Sequence, residues 1–121
     1  MSGKANPKWD FDLARGLEGE GIVQGLLQGG SKVEVKRDYI ASTSGNIAIE
    51  YDYRGRPSGI AVTEADWWAI VVHRKGFDDT VILIETKRLK ELCRRHYGNR
   101  IKGGDDHASK MVLVPVCEIL S

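Results

Sequence analysis

Two short stretches in the first half of the chain alternate strictly between apolar and polar residues, and this pattern restricts the fold more than any other feature. In residues 32–38, KVEVKRD, Val33 and Val35 fall on one side of an extended strand, and Glu34, Lys36 and Asp38 on the other. In residues 47–53, IAIEYDY, Ile47, Ile49 and Tyr51 share one face, and Ala48, Glu50 and Asp52 the other. A period of two belongs to strands, because helical neighbours repeat every three to four residues. The polar stretch between them closes on Gly45-Asn46, a turn signal. Two such strands joined by a short loop are expected to pair as an antiparallel hairpin. That hairpin would crowd Glu34, Asp38, Glu50, Asp52 and Lys36 onto one surface.

The flanking sequence supplies the other layers. Residues 10–28 carry Phe11, Leu13, Ala14, Leu17, Ile22, Val23, Leu26 and Leu27 at helical spacing, with Asp10 or Asp12 as cap and Gly29-Gly30 as terminator. Four internal glycines each cost such a helix roughly 1 kcal/mol relative to alanine, so it depends on packing. RGRPSG reads as a turn-rich loop, and Thr63 with Asp66 three residues on predicts a single helical turn. WWAIVV (67–72) and TVILIE (80–85) read as strands joined by a loop containing Gly76. Trp67 and Trp68 then face opposite ways, one into the core. Residues 86–97 form an amphipathic helix with Leu89, Leu92, Cys93 and His96 on one side, KGGDDHAS a loop, and MVLVPV a last strand that Pro115 places at an edge or ends. The order α-β-β-(short α)-β-β-α-β predicts a mixed α/β sandwich around a twisted sheet, in one domain spanning 1–121.

Bulk properties exclude some classes. No run approaches the eighteen apolar residues of a membrane helix, and the first residues contain no apolar secretion core. Cys93 and Cys117 have no metal-motif spacing and are expected as free thiols in a reducing cytoplasm. The formal net charge is only +1, but basic residues gather at Lys87, Arg88, Lys90, Arg94, Arg95, His96, Arg100 and Lys102. These form either a solvated helix face or a phosphate-contacting surface.

A sheet face packed on a core does not bury uncompensated carboxylates, since each ion costs several kcal/mol to desolvate. The acidic face of the expected hairpin therefore meets solvent, with cross-strand salt bridges, or it holds a cation. Magnesium suits such a set, taking hard oxygen ligands from one or two carboxylates with water and phosphate completing its shell. A metal so held makes hydroxide from water and offsets charge on a phosphate, and a neighbouring lysine orients or deprotonates the attacking water. His73, His96 and His107 are scattered and form no evident metal set, while GGDDH at 103–107 reads as a mobile loop or an acidic metal loop.

With these residues in view, the chain resembles the PD-(D/E)XK nucleases. Gly19-Glu20 in a first helix followed by Glu34-Val35-Lys36 looks like that superfamily's helix glutamate and (D/E)-x-K strand. The wider run KVEVKRD, GNIAIEY, PSGI and TEADWW, across residues 10–97, looks like its small phage and bacterial members. The resemblance implies a restriction-endonuclease-like α-β-β-β-α-β sandwich with a mixed central sheet. It also implies a magnesium-dependent deoxyribonuclease, with manganese able to substitute, acting as an endonuclease on DNA that includes branched DNA, and working as a homodimer. Carried over residue by residue, it gives Asp38 and Glu50 as metal ligands, Lys36 as the catalytic amine and Glu20 as an outer or second-metal ligand. Glu34 is the alternative ligand, because Glu34-Val35-Lys36 can itself be the motif. Asp52 stands where the lysine following Glu50 belongs in the usual pattern. A nucleic-acid-binding module that keeps the fold without catalysis, and a nuclease acting on RNA, are the competing readings.

Overall fold

The stretch Trp67–Val72 is apolar on both of its faces, so as a strand it requires cover on both sides and partners on both edges. The computed structural model describes residues 20–26 and 28–121, and there this strand is the centre of a three-stranded sheet. The chain divides into two units, 1–32 and 33–121. In the first, residues 20–26 are helical, and the chain turns at Gly29 and Gly30, both at positive φ. The rest of the helix expected over 10–28, with its caps and most of its apolar positions, lies outside the described residues.

The second unit contains the two sheets. In the first, β1 (Val33–Asp38) runs parallel to β4 (Trp67–Val72), and β5 (Thr80–Glu85) pairs antiparallel on the other side of β4. The second sheet has the order β3-β2-β7-β6 and is wholly antiparallel. Here β2 is Asn46–Tyr53, β3 Arg56–Pro57, β6 Arg100–Gly103 and β7 Ser109–Pro115. Three helices complete the unit: α1 (Ala41–Ser44), α2 (Thr86–Arg95) and α3 (Val116–Ile119). The molecule is thus mixed α/β with parallel and antiparallel strands, as the pattern of elements predicts. Among the described residues no helix is long and apolar enough to cross a membrane.

One core serves both sheets. Trp68, Ile70 and Ile84 come from the first sheet, Ile47, Ile49, Val112 and Val114 from the second, and Leu89, Leu92 and Cys93 from α2. Helix α2 starts where β5 ends and is anchored there by Thr86, which donates from its hydroxyl to Ala65 O at 2.7 Å and from its amide to Asp66 O at 3.0 Å.

Several local expectations are corrected. β1 and β2 do not form a hairpin. Asp38 accepts hydrogen bonds from the amides of Ile40 and Ala41, at 2.8 and 2.7 Å, and so starts α1 within the segment expected to be a loop. Gly45 closes that helix in the left-handed conformation at φ 75°. This turn redirects the chain, and β2 reaches β7, whose Val112 and Val114 match the buried Ile49 and Ile47 in register. The helical turn expected at Thr63 is absent; the Thr63 hydroxyl accepts the Ala65 amide at 3.2 Å, and a 3-10 turn forms at Gly59–Ala61 instead. Residues 100–103 form β6, which takes in Lys102 and Gly103 from the start of the expected KGGDDHAS loop. Pro115 ends β7, which lies inside its sheet and not at an edge.

The orientation of β1 follows from its register. Glu34 and Lys36 stand opposite Trp68 and Ile70, two of the most buried side chains, so the charged face of β1 shares the inner side of the sheet. Val33 and Val35 lie on the outer side, with Val35 63% exposed. Two stability measurements follow. Leu89→Ala, at a fully buried position, should lower urea-unfolding stability by about 2–5 kcal/mol. Val35→Thr should change it by about 0.5 kcal/mol or less, whereas a strand with its valines in the core would lose far more. The thiols should also separate. Burial pushes Cys93 up to about 11, against the opposing pull of Arg94, while Cys117 is exposed. A disulfide reagent at pH 8 should titrate one thiol per native chain and two after denaturation, because only the thiolate reacts.

Candidate active site

The first strand carries Glu34, Lys36 and Asp38 on one face, two residues apart and so roughly 6.6 Å from one to the next along the strand. Lys36 Nζ lies 3.6 Å from Glu34 Oε1 and 5.9 Å from the centre of the Trp68 ring. Both members of the pair are about half exposed, with side-chain exposures of 51% and 40%. The indole face attracts the ammonium, and the carboxylate offsets its charge. β1 is the end strand of its sheet, so the pair stands where an inward face opens to solvent. Trp68 Nε1 is buried with no hydrogen-bond partner among the described residues. Leaving such a donor unsatisfied costs about 1–3 kcal/mol, a cost that an ordered water would relieve.

Asp38, next on that face, already has a structural duty. One of its carboxylate oxygens holds the two amides that start α1, and its carbonyl accepts the His73 amide at 2.9 Å. The other carboxylate oxygen has no hydrogen bond among the described residues.

Glu50 belongs to the other sheet. Its Oε1 accepts the Ser109 hydroxyl at 2.6 Å and its Oε2 the Ser58 hydroxyl at 3.1 Å. The register of β2 against β7 shifts between Glu50 and Asp52, a bulge that re-aims side chains at this point. Gly59 makes room for the strand. It has φ 53°, and a Cβ there would lie 2.2 Å from Glu50 O. Asp52 is tied into the next turn, where its Oδ1 accepts the Gly55 amide at 2.9 Å. No sequence signal pairs Ser109 with Glu50, because 59 residues separate them.

The structure therefore brings Glu34 and Lys36 together, places Asp38 on the same face, and puts Glu50 and Asp52 in a different sheet. The surface of four acids and one lysine expected from a hairpin does not form. Glu20 is exposed and helical in the first unit. Among the described residues no three His, Cys, Asp or Glu side chains converge as a metal site. The GGDDH segment forms an exposed 3-10 turn with Asp106 and His107 at positive φ. His73 pairs with Asp79 at 2.9 Å, and His96 contacts Glu118. Comparison with family models, with curated proteins and with solved structures finds no match to this chain.

The donors on β1 suit magnesium chemically, in that Glu34 and the free oxygen of Asp38 are hard carboxylate ligands. Four residues of extended strand, roughly 13 Å, separate them, so either alone would leave most positions to water and substrate phosphate, which is how magnesium is usually held.

The Glu50 network makes a separable prediction. Ser109→Ala should cost roughly 1–3 kcal/mol in chemical denaturation, because it removes a buried hydroxyl donated to a carboxylate. Gly59→Ala should cost at least as much, through both its positive φ and the approach of Glu50 O.

Proposed function

We propose that this chain is a metal-dependent deoxyribonuclease of the PD-(D/E)XK kind, with its reactive centre at the open inner edge of β1. The observation that carries the reading is the inverted β1. Valines that alternation would bury face outward, and a Glu34–Lys36 pair faces inward beside Trp68. Such violations of the local pattern cost stability and concentrate at functional sites. The restriction-endonuclease-like α-β-β-β-α-β sandwich is part of the proposal. The run of strands before α2, with further strands after it, supports it.

In this reading Glu34 holds the metal beside Lys36, with water and substrate phosphate completing its shell. Asp38 with Glu50 remains the alternative ligand pair. The metal, magnesium or manganese, would supply a nucleophilic hydroxide and neutralise charge on the scissile phosphate. Lys36 contributes through its ammonium. Held by Glu34 and the Trp68 ring, it is positioned to orient the attacking water and to stabilise the charge that grows on the phosphate oxygens. Glu34 keeps that amine at the strand edge. A homodimer would let one particle cut both strands of a branched junction.

A second reading has its own observation. Inward-pointing charge on an end strand also protects a sheet edge from pairing with another chain, and on that ground alone the chain would be a binding module without catalysis. Cleavage of labelled single-stranded, duplex and four-way-junction DNA separates the two. With magnesium or manganese, wild type should cut and EDTA should stop it. Lys36→Ala should lose roughly 10²–10⁴-fold in rate while keeping its circular dichroism spectrum and its DNA binding. Binding without cutting by wild type under all metals would establish the binding module. Cutting confined to RNA would reassign the substrate.

A further inference from the structure

Apart from the exposed Lys87, the basic cluster between residues 87 and 102 divides into two groups with different surroundings. Arg88 donates to the carbonyls of Glu118 and Ser121, and Arg95 and His96 contact the Glu118 carboxylate, so these three tie the C-terminal segment to α2. Lys90, Arg94, Arg100 and Lys102 have no ion pair with a carboxylate among the described residues, and neither does Lys110. All five line two adjoining recesses. One, of about 560 Å³, lies beside α2 and carries Lys90, Arg94 and Tyr97 over an apolar floor that includes Ile60 and Val112. The other, of about 370 Å³, carries Arg100, Lys102 and Lys110 beside Gly98. Tyr51 lines both.

We infer that these recesses form one groove for a single-stranded nucleic acid, with phosphates on the lysines and arginines and an unstacked base on the tyrosines. Three features favour this occupant. Lys102 and Lys110 stand directly opposite each other in the β6–β7 register, an arrangement that destabilises a sheet unless an anion offsets it. Asp52 is opposite Lys110 on β2 but forms no ion pair with it, its Oδ1 being used by the Gly55 amide. The aromatic part is equally specific. Tyr97 is 48% exposed, its ring lies 5.6 Å from that of Tyr51, and the Arg100 guanidinium sits 4.3 Å from its centre. Positive charge along a groove that also presents aromatic and guanidinium surfaces is the equipment for splayed bases and their backbone. An acidic peptide would use the charges but not the rings. A duplex keeps its bases stacked inside and would leave both tyrosines idle.

This inference deepens the nuclease reading by naming the form of strand the protein takes, and it rests on that reading only for the purpose of the groove. Binding is therefore measured without metal, in EDTA, so that its failure and a failure of cleavage are distinct results. The probe is a fluorescently labelled oligo-dT, read by anisotropy against salt concentration, with the matching duplex and a thymidine mononucleotide as competitors. Wild type should bind the single strand at least ten-fold more tightly than the duplex, and the mononucleotide should compete only at far higher concentration. Tyr97→Ala should weaken binding roughly five-fold or more, and Tyr97→Phe should restore it. The double change Lys102→Ala, Lys110→Ala should reduce the slope of log affinity against log salt by about 1.4, at about 0.7 per phosphate contact. The same double change should leave the melting temperature unchanged or raised. Arg74→Ala, in the β4–β5 loop and outside both recesses, should leave the slope as it is. Equal or tighter duplex binding, equal competition by the mononucleotide, or an unchanged affinity in Tyr97→Ala overturns the inference. So does an unchanged salt slope in the double variant.

Discussion

The second unit depends on one helix serving two sheets. α2 buries Leu89 and Leu92 completely, and its apolar side meets β5 of one sheet and β7 of the other. Neither sheet could cover its own inner face. The three-stranded one would leave Trp68, Ile70 and Ile84 in water, and the four-stranded one Ile47, Ile49, Val112 and Val114. Burying a side chain of this size stabilises by about 1.5–3 kcal/mol, so the helix that joins them sets where every strand must lie. Its start is fixed by Thr86 at the end of β5, and its far end by the contacts of Arg95 and His96 with Glu118.

This constraint explains why β1 can carry charge on its inner face. The core lies between the two sheets and α2, and β1 contributes no buried apolar residue to it. On that strand a lysine keeps its stem over Trp68 while its ammonium and the Glu34 carboxylate remain about half exposed. The desolvation penalty of a buried ion pair is thereby avoided. The same carboxyl chemistry does structural work elsewhere. Asp38 opens α1, Asp52 closes the turn to β3, and Glu50 links two serines from distant parts of the chain. Three of the acids that sequence alone nominates for a metal face therefore have hydrogen-bonding roles, and Glu34 is the one whose described polar partner is the lysine.

Much of this was legible in advance, and the exceptions share a cause. Periodicity located β1, β2, β4, β5, the apolar face of α2 and the strand ending at Pro115, because each is a local property of side-chain spacing. Glycines at 29–30 and 45 marked turns for the same reason. Alternation assigns residues to faces, but it names neither the partner strand nor the face that meets the core. The parallel pairing of β1 with β4 spans a long crossover, and the inward side of β1 was decided by its register with Trp68 and Ile70. Ser58 and Ser109 could not be seen as partners of Glu50, since nothing local links them. The basic run from Lys87 to Lys102 was visible as charge, but its division between the C-terminal tie and an open groove depends on the positions of Glu118, Tyr51 and β6.

The proposed metal-using centre at the inner edge of β1 can be located without measuring catalysis. Manganese-induced broadening of backbone amide signals tests it most directly, because it maps the ion without requiring turnover. Broadening should centre on residues 34–38 and be abolished by Glu34→Gln in a protein of unchanged spectrum. Broadening centred on the turn at 105–107, or none at stoichiometric manganese in the presence of a non-cleavable DNA strand, would contradict it.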